Sequence, residues 1–225
     1  MTDNVPVTHA LFDMDGLLLD TEVIYTQITQ KIVSRFGKTY DWSIKSNMIG
    51  RRAIDSARYL VSQLDLPMTA EEYLEERNGM LLAAFATAKA LPGAERLIRH
   101  LYQHNVPIAL ATSSNRDLYE VKASSHQDWF TLFNTVVTGD DSEITEGKPA
   151  PDIFNVAASR IGASPVSTLV FEDAPSGLAA GIAANMRVVV VPDSNMEKSR
   201  YMGADLILNS LIEFDPSTYG LPGIE

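Results

Sequence analysis

Short apolar runs that alternate with helical patterns constrain the fold of this chain more than any other feature. A strand that is apolar along its length is buried on both faces. Such strands, alternating with helices, form a parallel sheet that helices cover on both sides. We therefore predict an α/β fold with a doubly wound, mostly parallel sheet. The candidate strands lie at residues 7–12, 107–111, 135–138, 168–171, 188–191 and 206–208.

The segment at residues 21–90 interrupts this alternation. Its apolar residues recur at helical spacing throughout, and it contains no strand pattern. The Leu-Pro-Gly sequence at 91–93 then marks a boundary. We predict a core domain formed by residues 1–20 and 91–225, with an inserted all-helical cap domain at 21–90.

The composition narrows the classes of function. The chain has 225 residues and a formal net charge of −11, which argues against binding to nucleic acid or to an anionic membrane surface. It has no cysteine, so disulfides, a thiolate nucleophile and a cysteine-based zinc site are excluded. The sequence shows no signal-peptide pattern, and its apolar runs are too short to span a bilayer. We expect a cytoplasmic protein, in keeping with a reducing compartment.

Polar side chains follow four of the candidate strands. Ligands of open parallel sheets bind beyond the carboxyl ends of the strands, so we expect these side chains to meet at one edge of the sheet. The sequence therefore predicts a cluster of carboxylates, a hydroxyl group and a lysine. Its members are Asp13 and Asp15 after the first strand, Thr112 and Ser113 after the second, Lys148 in the loop beyond the third, and Glu172 and Asp173 after the fourth.

Four segments carry these residues, namely FDMDGLLLDTE at 12–22, ATSS at 111–114, GKP at 147–149 and FEDAPSG at 171–177. In order and spacing they resemble the four motifs of the phosphatases of the haloacid dehalogenase superfamily, which carry a cap insert between the first and second motifs. The resemblance covers essentially the whole chain. It implies a Rossmann-like core and a magnesium-dependent hydrolase. Such an enzyme removes phosphate from a small phosphorylated metabolite through an aspartyl-phosphate intermediate.

The resemblance also implies roles for the residues of the first and fourth motifs. Asp13 would be the nucleophile that attacks phosphorus. Asp15 would protonate the leaving oxygen and later deprotonate the attacking water. Mg²⁺ would bind the Asp13 carboxylate, the Asp15 backbone carbonyl and Asp173, and so reduce the repulsion between a phosphate dianion and the carboxylates. Glu172 would contact the ion only indirectly, for example through water.

The remaining motif residues would bind the phosphate group. The Lys148 ammonium would offset the negative charge of the transition state. The Thr112 hydroxyl and the Ser113 backbone N–H would hold a phosphoryl oxygen. Gly16 would let the backbone approach the phosphate closely, because it has no side chain.

Substrate choice is predicted to lie in the cap, where Gly50, Arg51 and Arg52 are candidate contacts. The first, second and fourth motifs and the ending GLP at 220–222 are similar to pseudouridine-5'-phosphatases and their plant and fungal relatives, some described as glycerol-3-phosphate phosphatases. This similarity implies pseudouridine 5'-phosphate as the substrate. Glycerol 3-phosphate, or another sugar or polyol phosphate, is the alternative. The cap-bearing relatives are compatible with a monomer.

Two further interpretations stay open from the sequence. A phosphomutase of the β-phosphoglucomutase type shares the cap and the Asp-x-Asp motif, and it would yield an isomerised sugar phosphate instead of free phosphate. A catalytically silent phosphate-binding module on the same scaffold would release no phosphate from any monoester. The intact Asp13, Asp15, Lys148 and Asp173 argue against the silent module.

Overall fold

Six parallel strands form one sheet in this computed structural model, which describes residues 5–48 and 53–224. The strands are β1 His9–Phe12, β2 Ile108–Thr112, β3 Thr135–Thr138, β4 Thr168–Glu172, β5 Arg187–Val190 and β6 Leu206–Ile207. Their order is β3-β2-β1-β4-β5-β6, and every neighbouring pair is parallel. The predicted α/β fold with a parallel sheet is confirmed.

Along the described part of the chain, β1 is followed by five helices, after which strands and helices alternate. The α-helices are α1 Thr21–Ser34, α2 Trp42–Met48, α3 Ala53–Leu64, α4 Ala70–Phe85, α5 Ala94–Gln103, α6 Arg116–Ala123, α7 Gln127–Phe130, α8 Asp152–Arg160 and α9 Pro175–Ala183. Of these, α5 and α8 pack on β2, whereas α9 packs on β4 and β5. Every residue of β2 and of β4 is buried, which explains why both strands read as continuous apolar runs.

The register of the sheet brings the ends of the central strands to one edge. Phe12 at the end of β1 lies opposite Leu110 of β2 and Phe171 of β4. The Phe12 and Phe171 rings stack with their centroids 4.6 Å apart, which fixes the two strands side by side. Asp13 stays in this register, because its backbone N–H donates to the Phe171 carbonyl over 3.0 Å. Residues that follow β1 and β4 therefore lie next to each other.

The chain divides into two compact units. Unit 1 comprises Met1–Asp20 and Lys89–Glu225 and contains the sheet with α5 to α9. Unit 2 is Thr21–Ala88, and in its described residues the regular elements are the helices α1 to α4. Within unit 2, α4 packs against α1 and α3. Among the described residues, no helix is both long enough and apolar enough to cross a membrane.

Two details differ from the sequence-based expectations. The first strand begins at His9 rather than at residue 7, because the Val7 backbone N–H donates to the Tyr219 carbonyl, outside the sheet. On α4, Leu82 is one of the apolar residues at helical spacing in residues 21–90, but it is 48% exposed. Tyr73 is fully buried instead, and its hydroxyl lies 2.8 Å from that of Thr29 on α1. A partner for the phenolic oxygen makes its burial tolerable.

Candidate active site

Three carboxylates meet at the carboxyl edge of the sheet. One oxygen from each of Asp13, Glu172 and Asp173 lies within 4.8 Å of the others. Asp13 follows β1, Glu172 ends β4, and Asp173 comes next in the chain. Because hard divalent cations prefer carboxylate oxygens, this donor set fits such an ion. Glu172, expected as an indirect contact, thus lies within the cluster itself.

Lys148 lies between two of these carboxylates. Its Nζ is 2.5 Å from Asp13 Oδ1, 2.7 Å from Glu172 Oε1 and 3.0 Å from the Ala111 carbonyl oxygen. Burial alone would lower the pKa of Lys148, but the charges of Asp13 and Glu172 outweigh burial and hold that pKa above its usual range. The side chain is therefore a buried cation at the place where the sequence predicted one.

Asp13 is buried, and its surroundings shift its pKa in opposite directions. Burial raises the pKa of Asp13 to about 7, Lys148 opposes this rise, and the charges of Glu172 and Asp15 add to it. A bound cation would favour the ionised carboxylate, because it attracts negative charge directly. The local environment is thus one in which the charge of Asp13 depends on what binds beside it.

Asp15, the second aspartate of the motif, has separate partners. Its Oδ1 accepts from Lys122 Nζ at 2.6 Å, and its Oδ2 accepts from the Ser114 hydroxyl at 2.9 Å. The Thr112 hydroxyl lies 3.5 Å from the same Oδ2. The two aspartates of the Asp-x-Asp motif therefore pair with different lysines. Asp13 contacts Lys148, and Asp15 contacts Lys122.

Sequence reasoning missed Lys122 as a site residue. It lies on α6, and its side chain is 1% exposed. Lysine on a short surface helix is normally solvated, so nothing in the local pattern marked this one. Lys122 lies four residues after Leu118 and therefore on the same helix face as that apolar residue. This spacing is a weak indication that the lysine is buried.

Thr112 and Ser113 differ in exposure. Thr112 is fully buried, and its Oγ1 accepts the Ser114 backbone N–H at 3.1 Å, which shapes the turn after β2. Ser113 is exposed at that turn. The α6 helix that follows is capped by Asn115, whose side chain accepts the Leu118 N–H. Thr112 is therefore tied to Asp15 and to the turn, while Ser113 faces outward.

Gly16 is required by the closeness of the first and fourth motifs. Its φ is +80°, and a Cβ at this position would lie 2.3 Å from Asp173 Oδ2. Any other residue would strain the backbone and displace the Asp173 carboxylate. The glycine was predicted to allow a close approach by phosphate, and here it allows the close approach of Asp173. Gly50, Arg51 and Arg52, predicted as cap contacts, lie outside the described residues.

The charges around the cluster also suit a divalent cation. Lys148 contacts Asp13 and Glu172, Lys122 contacts Asp15, and Asp173 lies in the same carboxylate cluster as Asp13 and Glu172. With all six groups ionised, these side chains carry four negative and two positive charges, and the difference equals the charge of one divalent cation. This charge balance supports the fit of the donor set to a divalent metal ion.

Comparison with known proteins gives consistent relatives. The chain is 47% identical over 224 residues to (DL)-glycerol-3-phosphatase 2 of Arabidopsis thaliana, covering 97% of this chain and 93% of that protein. It is 46% identical over 219 residues to a probable pseudouridine-5'-phosphatase of Drosophila melanogaster, covering 96% and 95%. A haloacid dehalogenase family hydrolase from Deinococcus radiodurans, solved with bound phosphate and sodium, superposes with a TM-score of 0.80. It is 26% identical and covers 97% of this chain and 99% of that one.

The family assignment rests on most of the chain. The family model described as haloacid dehalogenase-like hydrolase matches residues 10–191, which include every motif residue named above. The parallel sheet, the motif residues at its carboxyl edge and the relatives agree with that match. The resemblance inferred from the four motifs is confirmed, and the chain belongs to the haloacid dehalogenase-like hydrolase family.

Proposed function

We propose that this chain is a magnesium-dependent phosphatase that hydrolyses small phosphorylated metabolites through an aspartyl-phosphate on Asp13. The observation that carries the proposal is that the Asp13 carboxylate belongs to a cluster of three carboxylates and contacts the buried ammonium of Lys148. That arrangement supplies a nucleophile, ligands for a hard cation and a group that attracts phosphate. The phosphatase names of the relatives agree with this chemistry.

The first chemical step would use both aspartates of the motif. An Asp13 carboxylate oxygen bonds to phosphorus while the bond from phosphorus to the leaving oxygen breaks. Asp15 gives its proton to that oxygen, so the product leaves as an alcohol. In the second step, water attacks phosphorus, its proton goes to Asp15, and the bond from phosphorus to Asp13 breaks. Free phosphate leaves, and both aspartates return to their starting states.

Other residues would bind and orient the substrate. The carboxylates of Asp13 and Asp173 and the Asp15 carbonyl would hold Mg²⁺, which supplies positive charge to offset the repulsion between substrate and carboxylates. Lys148 would contact a phosphoryl oxygen and continue to neutralise Asp13. The Thr112 hydroxyl and the Ser113 N–H would hold another phosphoryl oxygen.

The Asp13→Asn variant tests the activity class. Wild-type protein is expected to release phosphate from p-nitrophenyl phosphate only when Mg²⁺ is present. Asp13→Asn is expected to lower kcat by a factor on the order of 10⁴ or more, because the amide cannot act as the nucleophile. The exposed Asp65→Asn, which removes the same charge from unit 2, is the matched control and should keep wild-type activity. Wild-type protein that releases no phosphate from any monoester would favour a silent binding module.

For the substrate, we propose pseudouridine 5'-phosphate, which is converted to pseudouridine and phosphate. Glycerol 3-phosphate is the second candidate, because relatives of almost equal identity carry the two names. We propose that unit 2, including Arg51 and Arg52, acts as the cap that selects between them. The test is kcat/KM measured in parallel on both compounds, on uridine 5'-phosphate and on 2-phosphoglycolate. A clear preference for glycerol 3-phosphate would reject the first candidate, and an isomerised sugar phosphate would indicate a mutase.

A further inference from the structure

A second buried lysine holds the aspartate that does not face Lys148. Lys122 Nζ is 2.6 Å from Asp15 Oδ1 and 2.8 Å from Ser114 Oγ. Ser114 Oγ in turn donates to Asp15 Oδ2 over 2.9 Å. Both oxygens of the Asp15 carboxylate therefore have a partner, and the three side chains close a triangle of polar contacts.

Lys122 is buried, although a lysine side chain is normally exposed to water. The Lys122 side chain is 1% exposed, whereas that of Asp15 is 23% exposed. Removing an ammonium group from water is costly, and an apolar side chain of similar length often fills a buried place equally well. Packing alone therefore does not explain a lysine at this position. Asp15, in contrast, is partly exposed.

The two buried lysines reach the site from different elements. Lys148 comes from the loop that follows β3, and it contacts Asp13 and Glu172. Lys122 comes from α6 and contacts Asp15. The support of Asp15 can therefore be removed while the contacts of Asp13 with Lys148 are kept. This separation makes the role of Lys122 testable by itself.

We propose that Lys122, together with Ser114, is a positioning residue that fixes the Asp15 carboxyl group for proton transfer to the leaving oxygen. This inference rests on the proposed function. An aspartate side chain rotates about two bonds, and a catalytic group must be held within about 0.5 Å of its productive position. When Asp15 has given up its proton, the carboxylate that remains is held by the Lys122 ammonium and the Ser114 hydroxyl. The same orientation then serves the proton transfer from water.

Leaving-group dependence distinguishes this role from a structural one. The alkoxide of glycerol 3-phosphate needs a proton to leave, whereas p-nitrophenolate does not. Lys122→Met is expected to lower kcat/KM for glycerol 3-phosphate by about 10²-fold, the scale of general-acid catalysis. For p-nitrophenyl phosphate the expected loss is less than about fivefold, since kcat/KM reports the steps up to departure of the leaving group. Equal losses on both substrates would overturn the inference.

A double-mutant cycle gives the second readout. If Lys122 acts through Asp15, then Lys122→Met should change the kcat for p-nitrophenyl phosphate by less than about twofold in an Asp15→Asn background, because coupled residues are not additive. In wild-type protein the same substitution should lower that kcat clearly, since Asp15 also activates water. Full additivity of the two substitutions would contradict the proposal.

A second variant covers the case in which Lys122→Met fails to fold. Ser114→Ala removes the donor to Asp15 Oδ2 and should show the same leaving-group dependence, with a loss of about tenfold for glycerol 3-phosphate. The matched control is Ala123→Gly, which weakens the same helix next to Lys122 and should affect both substrates equally. If Ser114→Ala behaves as that control does, the inference is overturned.

Different results would reject the proposed function and the positioning role of Lys122. Retained activity in Asp13→Asn would reject the aspartyl-phosphate mechanism, and the positioning role would fall with it. An active wild-type protein and an inactive Asp13→Asn, combined with a uniform loss in Lys122→Met, would reject only the positioning role.

Discussion

At the scale of single residues, Asp13 combines two requirements that conflict. In the proposed mechanism it has to be ionised to hold a cation and to attack phosphorus, yet burial raises its pKa to about 7, with Lys148 opposing the rise and Glu172 and Asp15 adding to it. Lys148 stays charged beside it, because two carboxylates outweigh the effect of burial on the lysine. A cation bound to the cluster would resolve the conflict by favouring the ionised form of Asp13.

This conflict predicts that Mg²⁺ binding depends on pH. Protons compete with the cation for Asp13, so the affinity should rise as the pH increases through about 7. At pH 6 about a tenth of this carboxyl is ionised, which makes the Kd for Mg²⁺ about tenfold weaker than its value at pH 8.5. Titration calorimetry across this range measures the effect. A Kd that is constant from pH 6 to pH 8.5 would contradict the assignment, and Asp13→Asn should show weak binding without this pH step.

The site residues divide into those that the sequence marked and one that it did not. Asp13, Asp173 and Lys148 lie together as the strand-end argument predicted, because parallel strands carry their ends to one edge. Lys122 contacts Asp15 across 107 positions in the chain. Neither turn residues nor strand periodicity record such a pairing, so only the fold brings it to light.

At the scale of elements, the start of α9 is organised around Glu172. The Glu172 Oε2 accepts the backbone N–H groups of Asp173 and Ala174, and Pro175 begins the helix. A carboxylate at a helix N-terminus is favoured by the unpaired N–H groups there. Gly177 makes room for it, since a Cβ at that position would lie 1.8 Å from Glu172 Oε1. The FEDAPSG motif is thus a strand end, a carboxylate that pairs with the following N–H groups, and a helix start.

Gly177→Ala tests this arrangement. The added methyl group should displace the Glu172 carboxylate, weaken Mg²⁺ binding and destabilise the protein by about 1–3 kcal/mol. Gly79→Ala on α4 is the matched control, since a Cβ there meets nothing within 4 Å. It should stabilise its helix by up to about 1 kcal/mol and leave Mg²⁺ binding unchanged. Urea denaturation and calorimetry measure the two effects, and equal behaviour of the two variants would contradict this account of Gly177.

The strands were predictable to within a few residues, because burial on both faces leaves a continuous apolar run. The first strand was predicted to begin two residues too early. The backbone N–H of Val7 pairs with the Tyr219 carbonyl outside the sheet, and the apolar side chain of Val7 gives no sign of that partner. Helix faces were harder to assign. On α4, Leu82 is exposed and Tyr73 is buried, because packing against α1 determines which positions are covered. The Thr29 hydroxyl that pairs with Tyr73 is distant in sequence, so the sequence pattern does not reveal this contact.

At the scale of the whole molecule, the chain is acidic yet belongs to a family of hydrolases whose relatives here are named for phosphate esters. A net charge of −11 repels anions in general, so binding of a phosphate ester, as proposed, requires positive charge to be concentrated locally. In the described part of unit 1, Lys122 and Lys148 supply part of it at the carboxyl edge of the sheet, and a divalent cation bound to the carboxylates would supply the rest. The doubly wound fold makes this concentration achievable, because one edge collects residues from four separate segments.

The most direct test of the central claim is to find the phosphate on Asp13 during turnover. The protein is mixed with Mg²⁺ and substrate, quenched in acid within the first turnover, digested, and its peptides are mapped by mass spectrometry. We predict a phosphorylated Asp13 that appears only with Mg²⁺ and is absent in Asp13→Asn. Phosphate release at the full rate with Asp13 unmodified, or a phosphoryl group on another residue, would contradict the account.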